Sequence, residues 1–214
     1  MTGIIAQNVG RTSGLIKAAS GGGGGVWTLI KTLTASSDST LSFVDGSDDV
    51  TLDSTYPIYR FVWINAHPST QTGEGNEFQF NLSEDTGSSY AVTKTTTFFR
   101  ARQSEAGTDS NNLAYEADHD LQQGSGVQYI AVDHDADNDA SSSGEMWLYN
   151  PSDTTFVKHF HLRNNHMHSA AASFDTWVAG YGNTANAVDA LQFSFSGSAT
   201  IESGTFKLYG IGDS

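Results

Sequence analysis

Four of the seven histidines lie close together, as the pairs His159–His161 and His166–His168. Residues two apart on a β-strand project from one face, so a pair of this spacing can direct two imidazoles toward one point. Two such imidazoles bind zinc, iron or nickel when further ligands converge on the same point. His159 and His161 are therefore candidate metal ligands, and the alternative is that they are ordinary histidines of a polar face or an interface.

A second candidate site is the acidic stretch that contains Asp133, Asp135 and Asp137. Alternate aspartates in a loop can direct several oxygens toward one centre, as calcium coordination requires. An EF-hand that began at Asp133 would need Gly where Asn138 stands and Glu where Gly144 stands, so that motif fails. The stretch is left with two interpretations, a calcium site of another kind or a solvated acidic hairpin loop.

The remaining residues carry no recognisable catalytic motif. The chain has no cysteine, which excludes disulfides, thiolate metal sites and cysteine nucleophiles. Its glycine run is not followed by Lys-Ser or Lys-Thr, and no Gly-x-Ser-x-Gly elbow occurs, so neither a phosphate-binding loop nor a hydrolase nucleophile is indicated. A catalytic pair of carboxylates stays open, because 24 acidic residues make accidental pairs inevitable, but no pair stands out. We expect a protein that is not an enzyme and that needs no cofactor, unless the acidic stretch binds calcium. The four tryptophans could stack on sugars, but their positions on strands favour the core: Trp27, Trp63, Trp147 and Trp177.

The charge of the chain limits its partners. Ten basic and 24 acidic residues give a net charge of −14 at pH 7. Binding to nucleic acid or to an anionic membrane is disfavoured, because phosphate contacts need clustered Lys and Arg. Nor does any window approach the ~20 consecutive apolar residues of a membrane-spanning helix, and the N-terminus lacks the pattern of a signal peptide. The charge suits solubility, cation binding or docking on a basic partner surface.

The candidate residues must be positioned by β-strands. In the closing stretch, Leu191, Phe193 and Phe195 alternate with polar residues before a turn, and Phe206 and Leu208 resume an apolar face, which predicts a β-hairpin with one wet side. Apolar residues at period two are buried only if another sheet covers them. About ten such strands, without a helical pattern between them, predict an all-β fold: an antiparallel, two-sheet, jelly-roll-like sandwich.

The same pattern places the candidate sites on that sandwich. The first histidine pair falls on a strand predicted over Thr155–Arg163, and the acidic stretch follows a strand at Val127–Val132. Between Arg102 and Gly126 the alternation weakens, and Asn111–Asp118 is compatible with a short helix or an irregular loop. The pattern therefore puts one candidate site on a strand face and the other in a connecting loop.

The N-terminal residues form a separate segment. Five glycines, Gly21, Gly22, Gly23, Gly24 and Gly25, have high chain entropy and no side chains to pack, so they predict a hinge. Residues 1–25 are thus an arm and its joint, and residues 26–214 are the β-sandwich domain. The arm has too few apolar residues to fold alone but enough to pack on a neighbouring subunit, and the alternative is a disordered tail. Its candidate assembly residues are Ile4, Ile5, Val9, Leu15 and Ile16.

Several phrases of the sequence resemble virion structural proteins of marine tailed bacteriophages. They include the arm phrases Gly3-Ile-Ile-Ala-Gln-Asn8 and Ser13-Gly-Leu-Ile-Lys17, and Trp27-Thr-Leu-Ile-Lys-Thr-Leu33 after the joint. Similar phrases follow in the body: Tyr59-Arg-Phe-Val-Trp-Ile-Asn-Ala-His-Pro68, Phe156-Val-Lys-His-Phe160 and Ser203-Gly-Thr-Phe-Lys-Leu-Tyr-Gly210. The resemblance extends over most of the chain, and it assigns no role to any individual residue.

The resemblance implies a protein that works by assembly. It implies a β-rich homotrimer on the virion, assembled in the host cytoplasm, whose partners are its own copies and other virion proteins such as the major capsid protein. A capsid decoration or head-fibre subunit, attached through its arm, is the leading expectation. The first alternative is a tail-fibre or lectin-like module that binds host-surface glycans. The second, from the enzyme class, is a metal-dependent jelly-roll enzyme of the cupin type that uses His159 and His161.

Overall fold

The protein is described by a computed structural model that covers residues 25–70, 76–107 and 111–212. These residues form strands, turns and loops. Among them there is no helix that is long and apolar enough to cross a membrane. The twelve strands are β1 Trp27–Thr34, β2 Leu41–Val44, β3 Ile58–Pro68, β4 Asn76–Ser83, β5 Lys94–Ser104, β6 Asn112–Tyr115, β7 Gln128–His134, β8 Ser142–Tyr149, β9 Lys158–His168, β10 Ala172–Gly182, β11 Ala190–Phe195 and β12 Ile201–Ile211.

All twelve strands belong to one antiparallel sheet that curves into a nearly closed, barrel-like shape. Its larger half runs in the order β1-β12-β3-β8-β9-β10-β5-β6, and its smaller half in the order β7-β4-β11-β2. The halves are joined by a single register pair, His134 on β7 and His168 on β9. This pair lies beyond His166, where the pairing of β8 with β9 ends. The predicted all-β, antiparallel class is confirmed.

Apolar side chains from the two halves meet in one core. Phe43 of β2 packs edge-on against Phe61 of β3, with ring centroids 5.5 Å apart. Trp63 of β3 lies 5.8 Å from Phe78 of β4 by the same measure. All four side chains are buried. The alternation of apolar and polar residues along each strand thus produces one covered face and one exposed face.

The closing stretch does not form the predicted hairpin. β11 pairs with β4 and β2, whereas β12 pairs with β1 and β3, so the two strands belong to opposite halves of the sheet. Phe193 of β11 and Phe206 of β12 meet across the core with ring centroids 5.3 Å apart. A turn between two strands with one apolar face each can join neighbours in a sheet or facing layers. Alternation fixes which face is buried, and it leaves the pairing partner open.

The structure also extends two of the predicted elements. Asn111–Asp118, predicted as a short helix or loop, contains the edge strand β6. The strand predicted to end at Arg163 continues to His168, so both histidine pairs lie on β9. The arm residues Ile4, Ile5, Val9, Leu15 and Ile16 lie outside the described residues, and so do Gly21, Gly22, Gly23 and Gly24.

The last residue of the predicted hinge, Gly25, packs against the end of the body. A Cβ atom at this position would lie 2.5 Å from Cγ2 of Ile211 and 2.6 Å from the carbonyl oxygen of Gly212. Both distances are too short for a side chain to fit without movement of the neighbours. The chain therefore needs glycine where it enters β1.

Candidate functional site

The histidine pairs of β9 lie on opposite sides of the sheet. His166 lies five positions after His161, and successive side chains of a strand point to opposite faces, so an odd step reverses the face. His159 and His161 are exposed on the outer face, whereas His166 is buried, with 1% of its surface accessible. The four histidines therefore form two separate sites and cannot act as one cluster.

On the outer face, His161 ends a ladder of stacked side chains. Arg60 of β3, Trp147 of β8 and His161 of β9 are consecutive cross-strand partners. The imidazole stacks on Trp147 at 6.1 Å between centroids and 11° between planes. The Arg60 guanidinium carbon lies 5.2 Å from the ring centre of Trp147 and 3.9 Å from that of Trp27. These contacts fix the orientation of the imidazole.

The ladder stops at two small residues, and a groove opens there. The next cross-strand partner of His161 is Ala179 of β10, and Ala179 pairs in turn with Thr97 of β5. Neither side chain reaches far above the sheet. The space above them is part of a cavity of about 470 Å³, which we call the histidine groove. It is lined by Thr95, Thr96, Thr97, Tyr149, His159, Phe160, His161, Ala179, Gly180 and Tyr181.

The groove has a largely apolar surface with a few hydrogen-bonding groups. Its hydrogen-bonding side chains are hydroxyls and imidazoles, and its lining includes no Asp, Glu, Lys or Arg. The Tyr149 hydroxyl lies 3.3 Å from Nδ1 of His161. Partial burial raises the pKa of Tyr149, which keeps its hydroxyl neutral. On the far side, the rings of His159 and Tyr181 meet edge to face at 5.9 Å.

A second ladder borders the groove. Phe99 of β5 and Trp177 of β10 stack with centroids 6.0 Å apart and planes within 5°. The Arg163 guanidinium carbon lies 4.6 Å from the ring centre of Trp177. Asp175 accepts two hydrogen bonds from this guanidinium, from Nε at 2.9 Å and from Nη2 at 2.8 Å. This bidentate pair holds Arg163 in place.

Beyond the second ladder lies a cavity of about 530 Å³ that contains charged side chains. Arg60 pairs with Glu145 at its edge, and Arg163 pairs with Asp175. Each cation of this lining is therefore matched by an anion.

On the core side, His134 of β7 and His166 of β9 stack at 5.6 Å. Burial lowers the pKa of His134 to about 4 and the pKa of His166 well below its ordinary value. His166 Nε2 lies 2.9 Å from the Val132 carbonyl oxygen. The Nδ1 atom of His166 and the Nε2 atom of His134 have no hydrogen-bond partner among the described residues. These imidazoles are neutral parts of the core.

The aspartates of the acidic stretch are engaged with their own surroundings. An Asp133 carboxylate oxygen lies 3.4 Å from Nε2 of His168. Asp135 is buried, and its carboxylate accepts the backbone N–H of Asp137 at 3.0 Å. Across the described parts of the chain, no three His, Asp or Glu side chains are grouped so that they could hold a metal ion. In the part of the chain that the structure describes, neither the acidic stretch nor the pair His159 and His161 belongs to a group of three such side chains.

The sequence interpretation missed the exposed aromatic residues. Trp63 is buried as predicted, but Trp27 and Trp177 are 46% and 39% exposed, so the core assignment is wrong for them. The signal was present in the alternation. Trp177 is flanked by Thr176 and Val178, which point inward, so Trp177 itself must point outward.

Comparison with known proteins finds no matching family model, no matching curated protein and no matching solved structure. The function must therefore be inferred from the residues of this chain, and above all from its exposed face and its edges.

Proposed function

We propose that this chain is a non-enzymatic virion structural protein, a capsid decoration or head-fibre subunit that assembles through its N-terminal arm and the adjoining edge strand. One observation carries the proposal: the body exposes a group of apolar side chains where the arm enters. We further propose that the barrel-like sheet is a variant of the two-sheet, jelly-roll-like sandwich, in which the larger and smaller halves serve as the two layers.

The exposed group consists of Val26, Trp27 and Leu29, which are 74%, 46% and 51% exposed. They lie on or directly before β1, whose only strand partner among the described residues is β12. No strand among the described residues occupies the other edge of β1, and we propose that a further chain pairs there. An open edge with exposed apolar side chains promotes association, and proteins that remain monomeric usually protect such edges.

A second exposed edge lies at the other end of the same half of the sheet. β6 pairs only with β5 in the described part of the chain, and its Leu113 and Tyr115 are 72% and 55% exposed. Contact between two different surfaces of identical chains forms a ring when the rotation between neighbours closes. We propose a homotrimer formed in this way, which is assembled in the host cytoplasm and whose arms contact the major capsid protein.

The oligomeric state of the purified full-length chain tests the role of β1. We expect a trimer in size-exclusion chromatography with light scattering, and we expect Leu29→Glu to shift it to monomers because a charge is then placed in the apolar contact. Phe156→Glu is the matched control, since Phe156 is 70% exposed but lies in the turn before β9. A monomeric wild-type chain, or a trimer that Leu29→Glu leaves intact, contradicts the proposed interface.

The position in a virion needs a separate test. Purified particles of the phage that encodes the chain would be labelled with an antibody against residues 26–212 and imaged by electron microscopy. We expect label on the head, and loss of label when residues 1–25 are deleted from the encoded protein. Particles without label, or label that persists without the arm, contradict attachment through the arm.

A further inference from the structure

We propose that the histidine groove binds a neutral saccharide, with one sugar ring placed above Ala179 and Thr97 and stacked on the imidazole of His161. This inference concerns the outer face and does not depend on the assembly role proposed above. It rests on the charge of the groove, on its shape and on its free hydrogen-bonding groups.

The absence of charge in the groove selects the class of ligand. Surface residues of a chain with a net charge of −14 are rich in carboxylates, yet none lines this cavity. An anionic ligand would find no cation in the groove and would be repelled by the rest of the chain. A cationic ligand would find no carboxylate to pair with. A neutral ligand that is rich in hydroxyl groups fits both conditions.

The shape of the groove suits a ring. One face of the His161 imidazole stacks on Trp147 of β8, and on the other side of the strand the cross-strand partner of His161 is the small residue Ala179. From β9 across β10 to β5 the groove is two strand spacings wide, or about 10 Å. Sugar rings have faces made of C–H groups that pack well against flat aromatic rings, while their hydroxyls project around the rim. The volume of the groove, about 470 Å³, lies in the range of small-ligand sites, about 300–1,000 Å³.

The rim of the groove offers groups that match sugar hydroxyls. A tyrosine hydroxyl both donates and accepts hydrogen bonds, and a neutral imidazole has one nitrogen for each role. The imidazole of His159 and the hydroxyl of Tyr181 make no hydrogen bond with any residue that the structure describes, and the two side chains meet only through their rings. Both remain available to a ligand. Tyr149 and His161 are already oriented by their mutual contact at 3.3 Å.

Isothermal titration calorimetry of the full-length protein with free neutral hexoses, 6-deoxyhexoses and N-acetylhexosamines tests the inference. We expect at least one of these sugars to bind, and we expect Ala179→Leu to weaken its Kd at least tenfold, because the leucine fills the space above the sheet. His161→Ala should weaken the Kd in the same direction. Ala101→Leu is the matched control, because Ala101 is an alanine of the same outer face that lies on β5, opposite Asp175 and away from the groove.

A Kd that rises with Ala179→Leu but not with Ala101→Leu supports the proposed sugar site, provided that both variants keep the thermal stability of the wild type. If none of the neutral sugars binds, or if binding survives Ala179→Leu, the inference is wrong. If no sugar binds and Ala179→Leu changes the oligomeric state, the groove is a contact between subunits and the inference is likewise overturned.

Discussion

The two histidine pairs of β9 occupy one strand but have opposite environments. His159 and His161 face outward, beside aromatic rings and hydroxyl groups. His166 faces the core and stacks on His134, while the ring of His168 stacks on Phe174 at 4.1 Å. The same side chain thus serves as a ligand-facing group at one end of the strand and as a packing group at the other.

This difference arises from strand geometry. Because side chains alternate between the faces of the sheet, a change of one residue in spacing would move the second pair to the outer face. The inward position then imposes a cost on the charged form of the imidazole, since water is excluded from it. Position on the strand therefore determines which histidine side chains are accessible to solvent.

Introducing a lysine at each position should show the largest difference. His166→Lys would bury an unpaired cation near Arg100, and we expect it to lower the free energy of unfolding by about 3–5 kcal/mol. His161→Lys places the same group in solvent and should change this free energy by less than about 0.5 kcal/mol. Urea unfolding followed by circular dichroism measures both. Similar losses at the two positions would show that the faces do not differ as described.

Lowering the pH should produce a smaller change in the free energy of unfolding than His166→Lys, and this change should arise from the core histidines. A histidine with a folded-state pKa below 6.5 binds its proton more readily in the unfolded chain, so stability is full above pH 6.5 and declines as the pH falls toward the folded-state value. For His134 this window runs from pH 6.5 to about 4, and it corresponds to a loss of about 3 kcal/mol. The lowered pKa of His166 acts in the same direction.

Glutamine variants identify the source of this pH dependence. His134→Gln combined with His166→Gln removes both core imidazoles, and we expect a flatter dependence of the unfolding free energy between pH 6.5 and 4. His159→Gln combined with His161→Gln is the matched control, because it makes the same substitutions at two exposed positions of the same strand. If the outer pair flattens the curve instead, then the acid sensitivity does not originate in the core.

The sequence predicted the elements better than their arrangement. Alternation predicted a strand at Val127–Val132, where β7 lies, and placed Phe193 and Phe206 on covered faces, because burial leaves a local period-two pattern. It could not show that β11 and β12 belong to opposite halves, since pairing depends on contacts between distant parts of the chain. The hairpin was predicted for that reason.

The candidate site shows the same limit. β9 was predicted to end at Arg163, just before the polar Asn164, yet Asn164 is a buried residue of this strand. Its side-chain oxygen accepts a hydrogen bond from Nε1 of Trp63 at 2.7 Å, a partner 101 residues away. A buried polar group satisfied by a distant donor has no local signature. The groove was hidden likewise, because the gap at Ala179 exists only in the register of β9, β10 and β5.

The smallest predicted difference concerns two hydroxyl groups that β8 directs toward β9. Ser142 donates a hydrogen bond to the buried side-chain oxygen of Asn164 at 2.6 Å, and the hydroxyl of Tyr149 contacts His161 on the outer face. Ser142→Ala should cost about 1 kcal/mol of unfolding free energy, since this bond cannot be replaced by water in the core, although Asn164 keeps its bond from Trp63. Tyr149→Phe should cost less than about 0.5 kcal/mol, because water can take over the exposed contact. Urea titrations of the two variants, which each lack one oxygen atom, measure the difference directly; equal costs would mean that the hydroxyl bonds of the two faces contribute alike, and that the contrast between the histidine pairs is confined to charge.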